Sequence, residues 1–149
     1  MTTWSGFIVG KPETKGSLEP RIVRLPGGRI KIAQSDKPAS LAWKKTMIAG
    51  IRKAHPELAG HHGPVTVDAM FVLDPAAGHG SGGHDLASWP DPIGQCCGDT
   101  DKYARNLGDA LEQSGLIVND SQITAWHAMK VWTSDSTGPC GAYWMVRTL

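Results

Sequence analysis

No apolar run in this sequence approaches the roughly 20 residues that a membrane-spanning helix needs. Its start, Met1-Thr-Thr-Trp-Ser-Gly, has neither the charged opening nor the apolar stretch of a signal peptide. Together these absences predict a cytoplasmic protein with no membrane partner. Cysteine is scarce as well: Cys96, Cys97 and Cys140 are an odd number, two of them adjacent. A disulfide framework uses even counts at wider spacing, so free thiols in a reducing compartment are expected. Adjacent cysteines are also poor co-ligands compared with a C-x-x-C pair. A zinc site drawn from Cys96, Cys97, His79, His84 and Cys140 is therefore set aside. No internal repeat or break in composition divides the chain. Its 149 residues, 40% apolar and 19% charged, read as one domain able to bury a core without staples.

Net charge is also nearly absent, at +1, but it hides an asymmetry. Residues 1–55 carry eleven Lys and Arg against three Asp and Glu, a balance of +8; residues 56–149 carry four against eleven, a balance of −7. A basic half attracts a polyanion, and an acidic half can hold metal cations.

Phe7-Ile-Val9 reads as a short strand. Arg21–Ala33 alternates apolar and basic residues on both sides of Pro26-Gly27-Gly28, the pattern of a hairpin whose glycines supply the turn. Ile22, Ile30 and Ile32 would share one face, opposite Arg21, Arg29 and Lys31. A helix follows from Lys37 to His55, capped by Ser35 or Asp36, stopped by Pro56, and burying Leu41, Ile48 and Ile51. His61-His62-Gly63 marks a turn, and Pro64–Leu73 is rich in β-branched residues and reads as a strand. Residues 74–98 lose all pattern; a connection this long is functional or mobile. The six tryptophans are assigned mainly to the core, among them Trp43, Trp126 and Trp132. The fold class expected is α+β: one compact domain with a mixed β-sheet, a basic N-terminal hairpin and two main helices.

The second helix carries the chemistry. Tyr103, Leu107, Ala110 and Leu111 fall at helical spacing, with Asp99 or Thr100 as cap and Gly115 as stop. Asp101, Arg105 and Asp109 form an i, i+4, i+8 row, and Asp120 follows the turn. The segment Ser121–Trp132 reads as a strand running away from the helix. Taken singly, each acid has an ordinary role: Asp99 as a cap, Asp101 favouring the helix dipole, Asp109 paired with Arg105, Asp120 in a turn. Taken together, converging carboxylates stay ionised only with a cation among them.

The stretch "GDTDKYARNLGDALEQSGLIVNDSQI", followed by "WHAMK", resembles the RusA family of Holliday junction resolvases, especially phage and prophage members. The pattern is an Asp-x-Asp pair opening a helix (Asp99, Asp101), a basic residue four positions on (Arg105), and Asp-Ala-Leu (Asp109-Ala110-Leu111). A turn glycine (Gly115), a later acid before a Gln (Asp120, Gln122) and a strand lysine (Lys130) complete it. Two positions depart from the pattern: Arg105 stands where the family has Lys, and Asn119 where it has Asp. Arg keeps the charge but cannot give up a proton.

The resemblance implies a RusA-like fold and a Mg²⁺-dependent endodeoxyribonuclease that resolves four-way junctions in DNA recombination and repair, with Mn²⁺ a possible substitute. Asp99, Asp101 and Asp120 would be catalytic and hold the metal, and Arg105 would offset charge developing on the phosphate. It also implies a homodimer, matched to the two-fold symmetry of a junction, in the host cytoplasm if phage-encoded, with no organic cofactor. Arg21, Arg24, Arg29, Lys31, Lys44, Lys45, Arg52 and Lys53 would bind backbone phosphates of branched DNA. Lys130, roughly 33 Å of straight strand from Asp120, would touch DNA or another part of the dimer rather than Asp120. Two alternatives remain open from sequence: a branched-DNA-binding module that no longer cleaves, motivated by Asn119 and Arg105, and a metal-dependent nuclease for other branched DNA.

Overall fold

The computed structural model describes residues 1–16, 19–35, 37–74, 92, 97–134 and 136–149; for residues 19–21 and 31–35 it describes the backbone alone. Most of the connection 74–98 and its two histidines lie outside the described residues. Four strands form a mixed sheet in the order β1-β6-β4-β5, with β1 Thr3–Val9, β4 Val65–Leu73, β5 Ile123–Trp132 and β6 Gly141–Thr148. β6 runs antiparallel to both β1 and β4, whereas β4 and β5 are parallel. β2 Glu19–Arg24 and β3 Ile30–Ser35 form a separate antiparallel hairpin. Helices α1 Pro38–Ala54 and α2 Thr100–Ser114 pack on one face of the sheet. This is the single α+β domain expected.

Alternation along each strand decides which face is covered. Val65, Val67, Ala69 and Phe71 of β4 and Ala142, Trp144 and Val146 of β6 are buried under the helices. The opposite face leaves Met129, Tyr143 and Met145 partly exposed. Across it Asp68 binds both His127, Nδ1 to Oδ1 at 3.0 Å, and Arg147. Trp43 and Trp132 are buried and Trp126 packs against the core, as assigned from sequence.

Several local expectations are corrected. β1 starts at Thr3, and β6, between β1 and β4, has no counterpart in the sequence reading. The N-cap of α1 is Lys37, with no side-chain cap bond; Pro38, whose ring presets a helical φ, opens the helix instead. Its buried face is Ser40, Trp43, Met47 and Ile51, while Leu41 is exposed. The face is rotated because Trp43 and Met47 bury more surface than Leu41 would.

The segment β4–α2–β5 is a parallel βαβ unit, and this arrangement positions everything that follows. β5 does not run away from α2 but returns alongside it, because a parallel partner for β4 must start at the far end of the crossover helix. The N-terminus of α2 therefore lies over the carboxyl ends of β4 and β5. Phe71 of β4 stacks on Tyr103 of α2 there, with ring centroids 5.2 Å apart. Tyr103 in turn donates its hydroxyl to the Cys97 carbonyl at 2.7 Å.

Candidate active site

Five charged side chains meet at the N-terminal end of α2. Asp99 is the N-cap residue, in extended conformation, and Asp101 lies in the first turn. Asp99 Oδ2 is 2.7 Å from Lys102 Nζ, and Asp101 Oδ2 is 3.0 Å from an Arg105 guanidinium nitrogen. Lys130 arrives from β5 and donates to the Gly98 carbonyl at 2.6 Å. Lys130 lies on the helix-facing side of β5, opposite Phe71 of β4. The βαβ unit thus makes neighbours of residues more than 30 positions apart. The hydrogen bond and charge of Lys102, helped by Lys130, hold the Asp99 carboxyl below its ordinary pKa, and Asp99 raises that of Lys102 in return.

Asp120 is elsewhere. It opens a short 3₁₀ turn, Asp120–Gln122, and its backbone N–H donates to Glu112 Oε2 at 3.0 Å, in the last turn of α2. The two ends of this 15-residue helix are about 22 Å apart. One chain therefore does not bring Asp120 to Asp99 and Asp101, and no cluster of three or more metal-ligating side chains forms among the described residues. The cause is topological: a βαβ unit puts its helix-to-strand turn at the opposite end of the sheet from its strand-to-helix loop.

The turn that carries Asp120 is tightly specified. Gln122 makes four hydrogen bonds: its Oε1 accepts from the N–H groups of Val118 and Asn119, and its Nε2 donates to the carbonyls of His61 and Gly63. Asn119 Oδ1 accepts from the Ser121 N–H at 2.9 Å, completing a capping box with Gln122.

Asp109 does not pair with Arg105. Its Oδ2 lies 2.7 Å from Lys15 Nζ and 3.5 Å from Lys44 Nζ. Each step of four residues turns about 40° further around a helix of 3.6 residues per turn, which carries Asp109 from the Asp101–Arg105 side toward α1. Lys44 is accordingly drawn inward, its side chain 12% exposed. Arg52 donates to the carbonyls of Ser114 and Gln113, closing the C-terminus of α2. Both cations bond to groups of the fold itself, Lys44 to Asp109 and Arg52 to the end of α2. Arg24, Arg29, Lys45 and Lys53 are exposed, and the side chains of Arg21 and Lys31 lie outside the described set.

Residues 13–138 match the family Endodeoxyribonuclease RusA. The chain belongs to that family. Its members are nucleases that hydrolyse phosphodiester bonds of Holliday junctions. No curated protein is matched. The Asn119 side chain caps its own turn, a bond that Asp and Asn make equally well. Arg105 keeps a cation beside Asp101. The sequence reading names Lys130, as touching DNA or another part of the dimer, and does not single out Lys102; the structure sets both at the head of α2.

Proposed function

We propose that this RusA-family protein is a Mg²⁺-dependent resolvase of four-way DNA junctions, acting as a homodimer in recombination and repair in the cytoplasm. The observation carrying this reading is the meeting of Asp99, Asp101, Lys102, Arg105 and Lys130 at the carboxyl ends of the parallel strands, where βαβ units bind ligands. The donor set fits the ion: Mg²⁺ takes hard oxygens, keeps several waters, and is held by one or two carboxylates plus substrate phosphates. Asp99 and Asp101 are such a pair, with side chains 65% and 57% exposed. When bound, the ion neutralises phosphate charge and lowers the pKa of an attacking water.

The residues of the chain do the rest. Asp99 stays ionised at acidic pH because Lys102 and Lys130 face it. Asp101 would hold the metal, and Arg105, its ion-pair partner, would offset the charge developing on the phosphate with two fixed donors. Lys130, tied to the Gly98 carbonyl, keeps a positive charge at the same end of α2. Arg24, Arg29, Lys45 and Lys53 bind the arms of the junction through their phosphates.

Asp120 joins from a second copy. Among the described residues β5 is an edge strand of the sheet. A two-fold copy with its α2 antiparallel brings the Asp120 end of one helix to the Asp99 end of the other, and the site is complete only in the dimer. The test mixes inactive Asp101→Asn and Asp120→Asn proteins on a labelled four-way junction with Mg²⁺. Heterodimers then hold one intact site, and single-strand nicking returns although each variant alone is silent. No recovery after verified subunit exchange would overturn the shared site. Junction binding without cleavage by the unmodified protein in Mg²⁺ or Mn²⁺ would favour a binding-only role, and cleavage of flaps but not junctions the other nuclease.

A further inference from the structure

The β2–β3 hairpin has a feature that phosphate binding does not use. Ile22 is 71% exposed and Ile30 66%, and Val23 and Leu25 are each 40% exposed. Among the described residues the hairpin pairs with no other strand, although a two-stranded ribbon alone in water is barely stable. Its turn has room around it: Gly27 and Gly28 sit at φ 85 and 77, and no atom of the described residues lies within 4 Å of where a Cβ would stand at either. The Leu25 N–H donates to the Arg29 carbonyl at 2.8 Å, so the loop is closed and keeps its shape. The pairing register sets Arg24 opposite Ile30, and the strand period puts Ile22 on the same side. Aliphatic side chains and guanidiniums thus alternate at the tip of a projecting arm.

Resting on the resolvase reading, we propose that this tip is a wedge for the branch point of the junction. Leu25, Pro26 and Ile30 contact base faces left unstacked where the arms meet, and Arg24 and Arg29 take the phosphates on either side. In continuous duplex every base pair is stacked on both sides, and an aliphatic wedge must first separate a step. In an open, unstacked junction the end pairs of the arms lack a neighbour, so apolar faces are exposed to the wedge without that cost. The arm therefore discriminates branched from linear DNA, which contacts to phosphate alone do poorly because every duplex offers them. The same charges argue against a second copy as occupant, since two tips packed together would oppose guanidinium to guanidinium.

The test is run in EDTA, so that binding is read without cleavage. Unmodified protein and the Leu25→Ser/Ile30→Ser variant are titrated against a four-way junction carrying 2-aminopurine beside the branch point, and against linear duplex of the same sequence. The unmodified protein is expected to change the junction probe's emission. The variant should lose that change, and its junction-over-duplex affinity ratio should fall about tenfold. Its duplex affinity and salt dependence should stay, because both arginines remain. Leu25→Met/Ile30→Met should keep the preference. An unchanged ratio in the serine variant would overturn the wedge, as would a change in its sedimentation mass, which would make the tip a contact between copies. Unmodified protein that binds junction and duplex alike would instead sink the resolvase reading, and that is settled before any variant is compared.

Discussion

The two ends of α2 use acidic residues in opposite ways. At the N-terminal end the side chains of Asp99 and Asp101 are mostly exposed, each ion-paired with a basic residue on the same helix. At the C-terminal end Asp120 sits in a turn whose neighbours are fixed by backbone hydrogen bonds: Glu112 to the Asp120 N–H, Asn119 to the Ser121 N–H, and Gln122 to four partners. Exposed ion pairs contribute little to stability and exchange partners readily, as the proposed metal and phosphate site requires. Satisfied hydrogen bonds with defined geometry hold one position, as the proposed sharing of Asp120 with a second copy requires.

Gln122→Ala should give the largest stability loss that separates the ends. At roughly 1 kcal/mol per hydrogen bond it should cost about 2–4 kcal/mol in urea denaturation. A smaller loss would mean that the turn is held by something else. Arg52→Ala, which uncovers two carbonyls at the same end, should cost about 1–2 kcal/mol by the same measurement. Asn119→Asp should lie within about 0.5 kcal/mol of the parent with cleavage retained, whereas Asn119→Ala should lose about 1 kcal/mol. At the other end Lys102→Ala should leave stability at neutral pH unresolved from the parent.

The sign of its pH dependence follows from the paired shifts. Asp99 has a folded pKa below its ordinary 3.8, so its contribution is present above that value and lost as pH falls through the lowered one. Lys102, raised above 10.5, contributes below that value and loses its share as pH rises through the raised one. Lys102→Ala should therefore lower only the plateau between the acid and alkaline limbs, and by little, while the two extremes, where the pair is already lost, match the parent. A large loss near neutrality would show that this end of α2 is held together more firmly than an exposed ion pair allows.

Much of this was legible in the sequence because it is local. The period of Tyr103, Leu107, Ala110 and Leu111 defined α2, and Pro26-Gly27-Gly28 placed the hairpin turn between β2 and β3. The pair Asp99 and Asp101 at the head of α2 is a matter of spacing. What was not legible depends on chain direction. Whether β5 leaves α2 or returns along it decides that Lys130 joins Asp99 and that Asp120 does not, and no property of residues 115–122 alone states it. β6 was missed although Ala142, Trp144 and Val146 alternate with Tyr143 and Met145. Its half-buried pattern is short, and its role is visible only once β1 and β4 need a strand between them. Leu41 and Ile48 share the apolar stripe of α1, but Trp43 and Met47 determined which way the stripe turned.

The chain just before the hairpin is fastened to α2. The Lys15 N–H donates to the Lys102 carbonyl, Asn106 Nδ2 donates to the Glu13 carbonyl, and Lys15 Nζ meets Asp109. At the other root, Gly16 lies against the side chain of Lys37, where α1 begins. Mechanically, residues 13–15 are a clamp on the helix that carries Asp99 and Asp101. A pull that reaches the chain at Lys15 is borne there as torque on α2, so strain at the clamp is felt at the carboxylates.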